Sequence, residues 1–138
     1  MTLAEIKNMV MFQTNNDKDD LGDFLPYLDT YFNDGYDRLC VAFSGEHSGQ
    51  DSDNYPPLRK DKEVPNLPDW VHSAIADWAT WLVYRNGNAA KQSRGFQYRS
   101  AFEYAENKLR AMSASQKGLT DAATDLSGGG KYIFNIPR

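Results

Sequence analysis

A single cysteine, Cys40, stands in 138 residues, so no intramolecular disulfide can form and the fold must rest on its own core. Long apolar runs are also missing. None reaches the length of a transmembrane helix, and Met1 to Phe12 is apolar on a helical period without the small-residue cleavage site of a signal peptide. Histidine is scarce: His47 lies in a polar stretch and His72 in the first turn of a helical one, where a surface or boundary position is expected. There is no His-x-x-x-His and no cysteine pair, which removes the usual spacings of a transition-metal site. Asp17, Asp19, Asp20 and Asp23 form an acidic run, but it lacks the terminal glutamate of a calcium-binding EF-hand loop. Gly128-Gly129-Gly130 follows no strand and opens no helix, so it is not a phosphate loop. An excess of basic charge is absent too. The net charge is −4, whereas a free duplex-binding domain presents a dominant basic face. These absences leave no catalytic set, no cofactor-binding residue and no metal ligands to name.

What is present is a core. The hydrophobic fraction of 41% and aromatic fraction of 13% suit a folded chain rather than a disordered one, and the length suits one domain. Thr2-Leu3-Ala4-Glu5 is a capping box opening a first helix, with Leu3, Ile6 and Val10 on one face and a stop near Gln13 at the turn Thr14-Asn15-Asn16-Asp17. A second helix is expected from Asp23–Pro26, with Asp23 as N-cap and a stripe of Leu25, Leu28, Phe32, Tyr36, Leu39 and Phe43. Gly35 within it suits a close helix approach, and Cys40 reads as a small core hydrophobe. Residues 44–68 carry glycines and prolines among charged residues, a long loop that Tyr55-Pro56-Pro57-Leu58 could pin to the body.

The third helix opens at Pro68-Asp69 and runs to about Asn86, where Gly87 suits a left-handed C-terminal position. Val71, Ala74, Ile75, Trp78 and Leu82 make its core face. Trp70, Trp81 and Tyr84 fall outside that face, which suggests a second, partner-binding surface. The fourth helix covers roughly 89–112, with Gly95 a candidate break and Tyr98, Phe102, Ala105, Leu109 and Met112 as its stripe. Within it, Arg94-Gly95-Phe96-Gln97-Tyr98-Arg99 mixes basic and aromatic side chains, read as packing plus solvated charge rather than as a single-strand platform.

Beyond Ser113 the composition is that of a flexible linker, ending in Gly128-Gly129-Gly130 and then Lys131-Tyr132-Ile133-Phe134-Asn135-Ile136. That last segment has strand composition and too many apolar side chains to leave in water. The expected architecture is therefore all-α: a small four-helix (up to five-helix) bundle over 1–112 with a long loop at 44–68. A linker and an extended, β-like arm follow over 113–138. Lys131, Tyr132, Ile133, Phe134, Asn135 and Ile136 are expected to bind another chain, an arm of this kind gaining main-chain hydrogen bonds by adding to an exposed sheet edge.

Charge is unevenly divided. Residues 1–58 hold 11 acids and 3 bases, while residues 59–110 hold 6 acids and 9 bases, a polarity that suits contact between copies.

The succession "MTLAEIK", an acidic turn, "LPYLDTYFNDGYDRL", the Trp-rich "LPDWVHSAIADWATWLVYRNGN" and "FQYRSAFEYAENKLRAM" resembles the small helical head–tail connector (adaptor) proteins of tailed bacteriophages, over about residues 1–112. The resemblance implies a structural virion protein of the neck, assembled in the host cytoplasm, with no enzymatic activity, cofactor or membrane association. It implies a homo-oligomer, commonly a dodecameric ring, seated beneath the portal protein, docking a downstream neck (stopper) or tail protein and letting genomic DNA pass without specific contacts. A helical protein-binding or regulatory module is the alternative reading of the same stripes.

Overall fold

A computed structural model describes residues 1–128 as five α-helices, with no β-strand among those residues. The predicted capping box forms at the start of α1 (Leu3–Gln13): the Glu5 amide donates to Thr2 Oγ1 and the Thr2 amide to Glu5 Oε1. Two further amides of the first turn are met from far along the chain, Leu3 by the Glu63 carbonyl at 2.8 Å and Ala4 by that of Asp61 at 3.1 Å. Leu3, Ile6 and Val10 are fully buried, as their spacing predicts.

The chain then departs from expectation. A 3₁₀ turn at Asn15–Asp17 leads into a short α2 (Lys18–Phe24), and a second 3₁₀ turn at Leu25–Tyr27 leads into α3 (Leu28–Ser44). Asp23 therefore lies inside α2 and caps nothing. Carboxylates near a helix N-terminus complement its dipole, which lets the acidic stretch start a helix rather than precede one. Pro26 is accommodated by a 3₁₀ turn, where its missing N–H does no harm. Leu28, Phe32, Tyr36, Leu39 and Cys40 are core, whereas Leu25 is half exposed and Phe43 packs at the margin. α3 closes on Gly45, whose φ of 79° is the left-handed conformation that favours glycine.

A 3₁₀ turn at Asp69–Val71 precedes α4 (His72–Tyr84), which packs against α1, α3 and α5 (Ala89–Gly128). Gly87 is not left-handed; the Arg85 and Gly87 amides instead donate to the Trp81 and Tyr84 carbonyls. His72 is wholly buried rather than at the boundary. Its Nε2–H donates to the Leu67 carbonyl at 2.8 Å, which leaves Nδ1 to accept from the Met1 amino group at 2.8 Å.

α5 does not break at Gly95 and does not stop at Met112. It continues to Gly128 through the stretch expected to be a linker. Alanine is the best helix former, serine and threonine are only mildly unfavourable, and the lone Gly118 adds about 1 kcal/mol against alanine. The arm segment Lys131–Ile136 lies outside the described residues.

Two glycines set the helix spacing. A Cβ on Gly35 would meet the Trp78 side chain at 3.0–3.2 Å, and one on Gly95 would meet Tyr84 Cβ at 2.8 Å and Trp81 Cε3 at 2.9 Å. Each lets a helix backbone lie directly on an aromatic side chain of α4. Gly22 in α2 has nothing within 4 Å of the same position. We therefore expect Gly95→Ala to destabilise the fold by about 1–3 kcal/mol through overpacking, and Gly22→Ala to stabilise it by about 0.5–1 kcal/mol. Urea melts of the two variants should move in opposite directions from wild type.

Candidate interaction surface

The apolar excess of α4 is largely consumed inside the chain. Tyr84 is 2% exposed, and its hydroxyl donates to Asp17 Oδ2 at 2.6 Å. Trp81 lies under Phe96, ring centroids 5.2 Å apart, with the Arg99 guanidinium 5.5 Å from its centroid. Trp70 is 39% exposed, with Lys108 Nζ 4.7 Å from the ring. Of the three expected partner-binding residues on this helix, Tyr84 is thus withdrawn into the core and Trp81 is mostly covered by α5; only Trp70 retains an open edge. The basic-aromatic run around Arg94 is what covers them.

Asp17 is the junction of this region. It accepts from Tyr84 on α4 and from Arg94 on α5 at 3.4 Å, and so clasps the start of α2 to both helices. Nearby, Gln13 donates to Asp77 at 2.8 Å and accepts from Thr80 at 2.5 Å, tying the end of α1 to α4. Burial raises the Asp77 carboxyl above its ordinary range, partly offset by the Gln13 bond. Burial also pushes the Tyr84 hydroxyl up, reinforced by the adjacent Asp17, so it stays a donor.

Arg38, Glu106 and Asp34 likewise hold helices together. Arg38 makes a two-bond fork with Glu106 at 2.9 and 3.0 Å while its guanidinium lies 4.5 Å from the Trp78 centroid, joining α3, α4 and α5. The Trp78 indole donates to Asp34 at 2.7 Å. Burial drives the Cys40 thiol up to about 12, which keeps it protonated.

The 44–68 loop is fastened as its aromatic and proline residues suggest. Tyr55 and Leu58 are buried. Asn33 grips the Leu58 backbone through both its amide atoms at 2.8 and 2.9 Å, and the Asn66 amide donates to the Tyr36 hydroxyl at 3.0 Å. At the tip, His47 pairs with Asp37 at 2.9 Å beside an open polar depression of about 510 Å³. Among the described residues no group of three or more His, Cys, Asp or Glu side chains is placed to hold a metal ion, and no helix is long and apolar enough to cross a membrane.

Further apolar side chains are exposed in several places, Tyr104 on α5 and Val64 in the 44–68 loop among them. Phe12 is 83% exposed, Tyr27 55%, Leu25 48% and Met11 47%, all within the end of α1, α2 and the turn after it. The spacing assigns Leu25 to the core stripe and turns Tyr27 away from it; the structure leaves both exposed. The available signal was the helical wheel of α1, on which Met11 and Phe12 fall away from Leu3, Ile6 and Val10. Asp19 and Asp23 of α2 are exposed in the same stretch and stand in no ion pair among the described residues.

No family model, curated protein or solved structure matches the chain.

The raised Asp77 carboxyl carries a pH signature. A carboxyl with a raised folded-state value binds protons more readily when folded, so its contribution to stability declines as pH rises through that value. Asp77→Asn, which keeps an acceptor for Gln13, should raise the melting temperature at pH 7. Its advantage should fade as pH falls through the carboxylate range and vanish below about pH 3, where the aspartic acid is neutral in both states. Thermal melts of both proteins across that range check the sign.

Proposed function

We propose that the chain is a structural subunit of the neck of a tailed bacteriophage, a head-to-tail adaptor. In this reading copies form a homo-oligomeric, dodecameric ring beneath the portal protein, extend the DNA channel and dock the next neck or tail component. The protein assembles in the host cytoplasm, resides in the virion and catalyses nothing. Its helix order and patterning support this, as does the use of its charged groups as ties between helices.

The observation that carries the reading is the length of α5. α5 runs over 40 residues, Ala89–Gly128, about 60 Å at the α-helical rise. That is about three times the roughly 20 Å length of α4, the central helix of the bundle. A helix of this length suits a subunit that engages other chains at a distance.

Electron microscopy of the purified chain mixed with the portal protein of the same virus tests the reading. Rings capping the portal are expected, and particles made without the chain should accumulate as heads lacking tails. A chain that neither binds the portal nor forms rings at micromolar concentration would overturn it. With a net charge of −4, the chain should also fail to retain duplex DNA in a mobility-shift assay at physiological salt.

A further inference from the structure

The connection between α4 and α5 carries a reactive pair. Asn86-Gly87 is the one Asn-Gly step in the chain; every other asparagine precedes a residue with a side chain. Glycine has no Cβ to shield its amide nitrogen or restrict the backbone, so this step is the one most open to attack on the asparagine side-chain carbonyl. Asn86 is exposed in the turn after α4, and its side chain makes no hydrogen bond among the described residues. The acidic counterpart, Asp34-Gly35, is differently placed. It lies within α3, where Asp34 Oδ2 accepts from the Trp78 indole at 2.7 Å and Gly35 is buried against the same ring. Helical dihedrals hold that glycine amide in an intrahelical hydrogen bond and away from the carboxyl carbon.

We propose that Asn86 is a site of spontaneous deamidation whose rate is set by the turn that holds it. The Gly87 nitrogen, its proton lost to hydroxide, attacks Asn86 Cγ. A C–N bond forms and closes a succinimide ring, and the side-chain nitrogen leaves as ammonia with protons drawn from water. Water then opens the ring. Breaking the bond from nitrogen to Cγ gives aspartate; breaking the bond to the main-chain carbonyl carbon gives isoaspartate, whose backbone is longer by a methylene. The net exchange takes up water and releases ammonia, with no oxidation and no partner chain.

The turn is held closed against this reaction. The Gly87 N–H donates to the Tyr84 carbonyl at 3.0 Å, so the nucleophile is engaged until that bond opens. Gln92 Nε2 donates to the Arg85 carbonyl at 3.0 Å and to the Gly87 carbonyl at 3.1 Å, bracketing Asn86 from both sides with one side chain. A Cβ on Gly87 would meet Lys91 Cβ at 2.7 Å, so the first turn of α5 lies across the glycine. That approach, not a left-handed φ, is what calls for glycine here, and it puts the labile step where packing demands it. Reaction therefore proceeds from the small population in which the turn has opened, and its rate scales with that population. Either product sets a carboxylate beside the negative end of the α4 dipole, where it is unfavourable. Isoaspartate also lengthens a connection that Gln92 grips at both ends.

Timed peptide mass spectrometry of the full-length chain tests this. Cleavage at lysine releases residues 63–91, which hold Asn66, Asn86 and Asn88 together. After incubation in native buffer at mildly alkaline pH, the mass gain of an amide-to-acid exchange is expected at Asn86, as two chromatographically distinct products. Asn88, whose Oδ1 accepts from the Lys91 amide at 3.0 Å, should stay intact. Gln92→Ala should raise the rate at Asn86 about tenfold, from two turn hydrogen bonds lost. Gln92→Met, which keeps the length without the donor, should do the same. In concentrated urea, where the turn is open in every variant, the rates should be faster and should coincide. No gain at Asn86 in native buffer while the urea-unfolded chain converts completely, an equal gain at Asn66 or Asn88, or Gln92 variants no faster than wild type would each overturn the inference. A wild-type rate as fast in native buffer as in urea would also overturn it, as would a difference between variants that persists in urea.

Discussion

The fold depends on pressing two helix backbones onto the aromatic side chains of a third. α4 carries Trp78, Trp81 and Tyr84 within seven residues, and each needs a flat surface to lie on. Gly35 supplies it from α3 and Gly95 from α5, where an added Cβ would meet its nearest neighbour at 3.0 and 2.8 Å respectively. Once the backbones are this close, polar groups at the seams come within hydrogen-bonding reach. The Trp78 indole reaches Asp34, Tyr84 reaches Asp17, and Arg38 covers Trp78 on its way to Glu106. A bulky residue at either glycine would separate the helices and unpair these groups together, and unpaired buried polar groups are costly.

Much of this could be read from the residues. The capping box, the core faces of α1, α3 and α4, the buried thiol, the pinned loop and the close approach at Gly35 follow from periodicity and local chemistry, which act over a few residues. The errors arise where distant residues decide. Gly95 looks like a helix break in isolation, but it is a contact surface once Trp81 and Tyr84 lie across it. His72 looks like a boundary residue until Leu67 and Met1 supply partners for both ring nitrogens. Tyr84 reads as surplus apolar area because its hydroxyl partner, Asp17, lies 67 residues away.

The end of α5 is a different kind of error. Ser, Ala, Thr and Asp serve linkers and helices alike, so composition does not decide between them, whereas consecutive glycines do. The same limit applied to the apolar surface of α1 and α2. Leu25 fits the spacing of the α3 stripe, but the 3₁₀ turn at Leu25–Tyr27 rotates it out of register and leaves it in solvent.

The loop that completes the first turn of α1 bears on how the chain is made. Leu3 and Ala4 rely on carbonyls of Glu63 and Asp61, and the buried face of α1 rests on α4. On the ribosome, α1 therefore has neither its hydrogen-bond partners nor its packing surface until residues up to Tyr84 have followed. At synthesis rates of about 5–20 residues per second, Leu3, Ile6 and Val10 wait several seconds for their cover. During that interval the nascent segment is an amphipathic peptide with an open apolar face, the form that chaperones bind.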